Sequence, residues 1–446
     1  MGSVAAAMKR AGYEVTGSDA NVYPPMSTFL EGEGIQLFEG YRRSNIPEEA
    51  EVIIVGNAVS RGNEEAEEVL DRKLLYQSLP EVLKEHFLRG RRNLVIAGTH
   101  GKTTTSAMLA WLLKFADKNP SHMIGGVPKN FERGAEFTDS EFVVLEGDEY
   151  DTAFFDKRSK FLHYLPEVAV INNIEFDHAD IYDDLDAVKL TFSRLLRIVP
   201  GNGMAFLNGD CENCRSLVAD APCPIALVGL GDNCDVRLSH LEGADGGTTF
   251  QIDGVEFFLP MSGEFNVRNA AMAICVARQA GLSDEVIREG LQNFSGIKRR
   301  QEIRGEERGV TVIDDFAHHP TAVEQVIDGL HQGYPGRRLL VILEPRSNTM
   351  RQEAHKGNLA GALAKADLAV MPPVLEAGQI AEDDLLDVHQ LIAEVNESGG
   401  NARIIPTVDE IVAWVAGEAK EGDLVAILSN GGFGGIHGKL LDALKM

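Results

Sequence analysis

The chain has 446 residues, 44% of them hydrophobic and 25% charged. That balance excludes a disordered or collagen-like chain and leaves room for about three domains. Forty-two Lys and Arg against 68 Asp and Glu leave a formal charge of −26, which disfavours nucleic acid or an anionic membrane as a partner, since both demand a net basic face.

The longest apolar run without a Pro, 270–277, is far shorter than the ~20 residues that cross a bilayer. Near the N-terminus Lys9 and Arg10 follow their apolar stretch, the reverse of a secretion signal, so a cytoplasmic protein is expected. Five cysteines, an odd number, argue against a disulfide framework. Cys211 and Cys214 have a spacing zinc accepts, but no second tight pair follows.

Strand and helix patterns alternate from end to end, which predicts α/β layers with mostly parallel sheets. The first stretch reads as a helix over 1–10 and strands at 13–16 and 51–55. A second unit starts at Arg92, with strands at 93–97, 142–145, 168–172 and 204–207 and a helix over 103–115. Residues 227–260, short strands rich in Gly and Asp, read as an antiparallel flap. A third unit carries strands at 310–313, 338–343, 368–371, 402–405 and 424–428, with helices over 322–330 and 408–416. The expected domains are 1–90, 91–297 and 298–446.

Between the strand at 93–97 and its helix stands Gly98-Thr99-His100-Gly101-Lys102-Thr103-Thr104. Glycines let backbone N–H groups close on phosphate oxygens, and a helix N-terminus adds partial positive charge. Lys102 then meets the β/γ-phosphates and the Thr103 hydroxyl reaches Mg²⁺. Two acidic clusters follow the next parallel strands, one running from Glu146 through Asp148 and Glu149 to Asp151, the other from Asn173 to Asp177 and His178. Residues at the carboxyl ends of parallel strands face the ligand crevice. A carboxylate and an imidazole there suit the metal shell of a nucleotide, and a His points to a second metal position.

The phosphate loop, Glu146, Asn173 with His178, Asn266 and Asn269, Arg300, and Asp314-Asp315-Phe316-Ala317-His318-His319-Pro320 resemble the Mur ligase superfamily, in its order and over the whole chain. Segments 17–25, 155–160, 343–350 and 429–437 resemble its peptide-accepting branch. The resemblance implies three domains: an incomplete Rossmann-like UDP-binding domain, a central P-loop ATPase domain with a parallel sheet, and a C-terminal Rossmann-like domain. It implies ATP-dependent ligation of the murein tripeptide L-Ala-γ-D-Glu-meso-diaminopimelate to UDP-N-acetylmuramate through an acyl phosphate, by a monomer. ATP is expected at Gly98, Thr99, His100, Gly101, Lys102, Thr103, Thr104, Asn266, Asn269, Arg300, Asp315 and His318. Thr103 and Glu146 are expected on one Mg²⁺ and His178 on another. Lys102, Glu146, His178, Arg300 and Asp315 form the expected catalytic set.

The same resemblance assigns the UDP-sugar to Ser18, Asp19 and Asn57, and the peptide to Arg346, Ser347, Asn348 and Asn430. Phe265 departs from the family, where many members carry His. The chain also enters at a helix that the branch precedes with a strand and a Gly-rich turn. Its absence predicts normal ATP binding, weak UDP-N-acetylmuramate binding and early melting of the first domain. The nearest alternative is the sister ligase for free L-alanine; a degenerate sugar-nucleotide-binding protein and a switch or motor ATPase stand further off.

Overall fold

Apolar runs without polar alternation, such as 93–97 and 142–145, form strands only where both faces of a sheet are covered. Two sheets of this kind dominate the computed structural model, which describes residues 1–24, 26–131, 133–177, 181–244, 246–347, 350–351, 356–374 and 385–445. His178 and Asn348 therefore lie outside the described residues.

In the N-terminal part the helix Gly2–Arg10 precedes β1 (Thr16–Asp19) and β2 (Gln36–Glu39), a parallel pair. A second parallel pair follows, β3 (Ile53–Val55) with β4 (Tyr76–Ser78). Among the described residues no strand joins the two pairs. The helix is amphipathic in its contacts. Val4 and Met8 pack with Leu83 and Phe87, while Ala6 packs with Leu30 and Ile35.

The central part contributes β5 (Arg92–Ala97), β6 (Ser121–Met123), β7 (Ala135–Glu136) and β8 (Phe142–Glu146). A hairpin of β9 (Asp151–Ala153) and β10 (Asp156–Ser159) comes next, then β11 (Val168–Ile171) and β12 (Met204–Asn208). β13 (Ile225–Gly229), β14 (Val236–Ala244), β15 (Gly247–Ile252) and β16 (Val255–Leu259) complete the set. Ten strands form one sheet in the order β16-β15-β14-β13-β12-β11-β5-β8-β6-β7, parallel from β14 to β6 and antiparallel at both ends. Along β5, Leu94 and Ile96 enter a core with the helices Lys102–Phe115 and Glu264–Gln279, and Val95 and Ala97 enter another with the helix Leu185–Arg197.

The antiparallel flap expected at 227–260 is found in the pairing of β14, β15 and β16, but it is no separate element. β13 pairs parallel with β12 and β14 with β13, so the segment extends the main sheet. Its Gly- and Asp-rich turns mark the antiparallel strands but carry no sign of the parallel junction with β12. Phe250 and Ile252, like Phe257 and Leu259, alternate with outward residues and are buried in the same core, a period-two pattern that anchors a sheet edge.

The C-terminal part forms a six-stranded sheet from β17 (Glu302–Glu307), β18 (Val310–Asp315), β19 (Leu339–Leu343), β20 (Leu368–Met371), β21 (Ala402–Ile404) and β22 (Leu424–Leu428). The order is β17-β18-β22-β19-β20-β21, with only β17 antiparallel. No helix among the described residues is long and apolar enough to cross a membrane.

Candidate active site

The register of the central sheet decides where chemistry gathers. Ile96 on β5 lies beside Glu146 on β8, and Ala97 beside Ile171 on β11. The segments leaving these strands at their carboxyl ends therefore meet at one edge.

The first is the phosphate loop. Gly98 has φ +129°, and a Cβ there would come within 2.9 Å of the Asn172 backbone nitrogen. Gly101 has φ +82°, and a Cβ there would collide with Asn269 Oδ1. Only glycine meets both demands. Asn173 clamps the loop: its Oδ1 accepts from His100 N at 2.7 Å and its carbonyl from Thr99 N at 3.0 Å. Lys102 starts the helix Lys102–Phe115. Its Nζ donates to Gly98 O at 2.6 Å, Thr99 O at 3.1 Å and Glu149 Oε1 at 2.9 Å. Burial alone would favour the neutral amine, but Glu149, with Asp148 and Glu146, overrides it and holds the Lys102 pKa above its ordinary value.

Beside the lysine, Thr103 Oγ1 donates to Glu146 Oε1 at 2.9 Å, and Gly125 N to Glu146 Oε2 at 2.7 Å. Burial raises the Glu146 pKa against the pull of that N–H, Lys102, Thr103 and Arg300. A buried carboxylate held this way gains from a cation. Oxygen donors on Thr103 and Glu146, next to a phosphate loop, suit Mg²⁺.

The C-terminal sheet supplies the opposing wall. Arg300 sits between Arg299 and Gln301, whose φ values of +63° and +47° are rare for side chains of that size. Its guanidinium lies 4.9 Å from the centre of the Phe316 ring. Asp315, at the end of β18, accepts from Gln301 N and Ala317 N, both at 2.8 Å. Burial raises its pKa although Arg300 opposes the shift. His318 Nδ1 is 2.8 Å from the Phe316 carbonyl, and burial lowers the pKa of its imidazole.

Beside the phosphate loop lies a cavity of about 370 Å³ lined by His100, Asn173, Asp210, Cys211, Phe265 and Asn269, among others, with Gln325 of the C-terminal part. Asn266 uses its Nδ2 on Ser262 O at 2.8 Å and on Gln301 Oε1 at 3.3 Å. Arg268 pairs with Asp210 and Glu264 on the cavity rim. Hydrogen bonding from Cys214 and nearby backbone N–H groups lowers the Cys211 thiol to about 6. All five cysteines are free, and among the described residues none joins a metal-binding cluster.

Of the expected residues, His100, Gly101 and Asn269 line this cavity, and Lys102, Thr103 and Glu146 adjoin it through the loop. Arg300 acts on Glu146 and Asp315, Asn266 binds Ser262 and Gln301, and His318 lies on the Phe316 carbonyl. Ser18, Asp19 and Asn57 instead lie on or just after the N-terminal strands β1 and β3. Arg346 is exposed after β19 and lies against Gly431, whose Cβ it would exclude. Ser347 Oγ donates to His318 O at 2.9 Å, tying that segment to the crevice. Among the described residues, Asn430 Oδ1 is buried and meets no hydrogen-bond partner. His178 and Asn348 fall outside the described residues.

Sequence reasoning did not single out Glu149 as the partner of Lys102, Asn172 as a brace of the loop, or the Asp210–Arg268 pair. Glu149 stood within an acidic run already marked. Asn172 Nδ2 donates to Thr105 Oγ1 at 3.0 Å across 67 residues, a pairing with no local signature.

Models of three protein families match in sequence: "Mur ligase family, catalytic domain" over 1–91, "Mur ligase middle domain" over 96–277 and "Mur ligase, glutamate ligase domain" over 299–431. Two similar relatives are the UDP-N-acetylmuramate–L-alanyl-γ-D-glutamyl-meso-2,6-diaminoheptandioate ligases of Escherichia coli (strain K12) and Haemophilus influenzae. They are 42% and 40% identical, over 100% of this chain and 96% and 97% of theirs. A murein peptide ligase from Psychrobacter arcticus superposes with a TM-score of 0.71 at 37% identity, over 100% of this chain and 96% of the other. Three matched models in sequence, full-length relatives and a shared three-part architecture agree: the chain belongs to the Mur ligase family.

Proposed function

We propose that this chain is an ATP-dependent ligase that joins the tripeptide L-Ala-γ-D-Glu-meso-diaminopimelate to the lactyl carboxylate of UDP-N-acetylmuramate. The observation that carries this reading is a largely buried Lys102, kept protonated by Glu149, beside the Thr103–Glu146 pair, whose carboxylate feels Arg300 from the C-terminal part. That arrangement suits the joining of anions. A carboxylate and a triphosphate repel each other, and preorganised positive charge is what lowers such a barrier. The names of the two relatives at 42% and 40% identity supply the substrates.

Residues 1–90 hold the UDP-sugar through Ser18, Asp19 and Asn57. Residues 91–297 hold ATP, and 298–446 present the peptide through Arg346, Ser347, Asn348 and Asn430. The cavity takes the nucleoside, with Asn269 on its wall, and Asn266 would leave Ser262 and Gln301 to reach it. Lys102 exchanges Glu149 for the γ-phosphate. The lactyl carboxylate attacks that phosphorus and ADP leaves, giving an acyl phosphate. The peptide amine then attacks the acyl carbon, loses its proton, and inorganic phosphate departs from the tetrahedral adduct. Arg300 stabilises the developing charge, with its guanidinium over the Phe316 ring and under the attraction of the Asp315 carboxylate. Mg²⁺, which Thr103 and Glu146 would hold together with His178 at a second position, supplies further neutralisation of the phosphates.

The test is phosphate release from ATP in the presence of UDP-N-acetylmuramate, with tripeptide or free L-alanine as acceptor. Tripeptide-dependent release is the expected result. Release with L-alanine alone would reassign the acceptor, and release with neither would remove the ligase reading.

A further inference from the structure

One cluster of side chains able to hold a metal adjoins the crevice, and two of its members, His100 and Glu175, stand on the wall of the cavity proposed for the nucleoside. His100 belongs to the phosphate loop, Glu175 follows β11, and His319 precedes the helix Pro320–Gly333 of the C-terminal part. One ring nitrogen of each histidine and one oxygen of the carboxylate lie within 4.8 Å of one another. His100 Nε2 is 3.4 Å and His319 Nδ1 3.9 Å from Glu175 Oε2. Ligand atoms 2.0–2.1 Å from a tetrahedral Zn²⁺ stand about 3.4 Å apart, so small rotations close this triangle on an ion.

The surroundings fit that reading. Thr321 Oγ1 donates to Glu175 Oε2 at 2.8 Å, the kind of outer hydrogen bond that orients a ligating carboxylate. Glu175 N donates to Thr99 Oγ1 at 2.9 Å, fixing its backbone to the phosphate loop. The side chains of His100 and His319 are only 14% and 7% exposed, whereas Glu175 is 34% exposed, which leaves one open side for a fourth ligand. The cost is a 3.3 Å bond from Thr321 N to His319 Nδ1 that caps the helix.

We infer that His100, Glu175 and His319 form a binding site for a divalent transition metal of the Zn²⁺ class, separate from the oxygen-donor pair Thr103 and Glu146. Two imidazoles and one carboxylate favour such an ion over Mg²⁺, which takes oxygen ligands. Filled, the site pins the phosphate loop to the C-terminal part and ties two domains together. It stands whether or not the proposed ligation is correct, because its readout is binding.

The experiment uses the full chain, stripped with a chelator and titrated with Zn²⁺ alone, then with Co²⁺ as a spectroscopic stand-in. The expected result is one ion per chain, a visible absorption of low-coordinate Co²⁺, retention under excess Mg²⁺ and a rise in Tm with Zn²⁺. Glu175→Gln keeps the bond from Thr321, and His319→Asn keeps a helix-capping acceptor. Each should weaken Zn²⁺ binding at least about tenfold, and either one alone decides the matter if the other does not fold. A Cys211→Ser/Cys214→Ser variant should bind as the parent does. No stoichiometric binding, binding unchanged in both ligand variants, or binding lost with the cysteines would overturn the site.

Discussion

The central sheet and the N-terminal strands are both parallel α/β layers, yet they are secured in different ways. On β5 every residue from Leu94 to Ala97 is at most 1% exposed, with cores on both faces. β1 has one partner strand, and both of its end residues, Thr16 and Asp19, are exposed. Ten strands sandwiched between helices keep the phosphate loop rigid enough to hold a buried Lys102–Glu149 pair. Strands paired two by two bury little, and such pieces are marginal without support. The proposed phosphate chemistry is placed on the part of the molecule with the more extensive buried core.

The sharpest way to break this comparison is at Lys102. Lys102→Ala should lower ligation ~10²–10³-fold, the usual loss for one preorganised charge contact. The sequence alone suggests an unperturbed fold, because a loop lysine serves phosphate and not packing. The structure corrects that, since the side chains of Lys102 and Glu149 are 14% and 3% exposed. Removing one partner of a buried pair costs ~3 kcal/mol, so Tm should fall as well. Lys102→Ala/Glu149→Gln should recover the Tm and not the activity, as thermal melting and phosphate release will report. An unchanged rate would sink the role of the loop.

Hydrogen exchange sharpens the comparison directly. Amides of β1 to β4 should open at least ~100-fold more readily than those of β5, β8 and β11, because local opening follows buried contacts. Mass spectrometry of peptic fragments reads this, and equal protection would mean that the N-terminal pieces borrow the stability of the central sheet.

A smaller effect is expected at Arg346, on the third part of the molecule. A guanidinium grips a carboxylate with two parallel bonds that an ammonium cannot reproduce. Arg346→Lys should raise the apparent KM for tripeptide about tenfold and leave that for ATP nearly unmoved. Equal changes for both would make its packing on Gly431 the whole of its role.

The smallest expected effect is chemical. With its pKa lowered to about 6 by the Cys214 hydrogen bond, Cys211 should be mostly thiolate at pH 7. An ordinary thiol, with a pKa of about 8.5, becomes so only above about pH 9. Alkylation by iodoacetamide should therefore rise through pH 6 and level off by about pH 7.5, and ATP should slow it, since Cys211 lines the cavity. A rate still climbing at pH 8 would contradict the low value. No protection by ATP would move the nucleotide away from that wall.

Much of this architecture is legible in residue order. The runs at 93–97, 142–145 and 168–171 are apolar without alternation, and only a strand covered on both faces tolerates that. Gly98 and Gly101 bracket a loop ahead of a helix, and their positive φ values in the structure follow from backbone approaches that a Cβ forbids. β1 lies elsewhere than its sequence suggests. A strand over 13–16 is expected from Tyr13 to Thr16, but the pairing runs over Thr16–Asp19, because four polar or small residues carry no periodic signal and the register comes from β2.

Composition, spacing and apolar patterning by themselves determined the three α/β units, the phosphate loop and the lysine that serves it, because these depend on residues near one another in the chain. Only the tertiary structure decided what faces that loop. Glu149 meets Lys102 from the end of β8. Asn269 meets Gly101 from a helix 168 positions further on. Glu175 reaches Thr321 and His319 across two domains. Such partners are chosen by the register of parallel strands, which brings their carboxyl ends to one edge and leaves no mark on the residues in between.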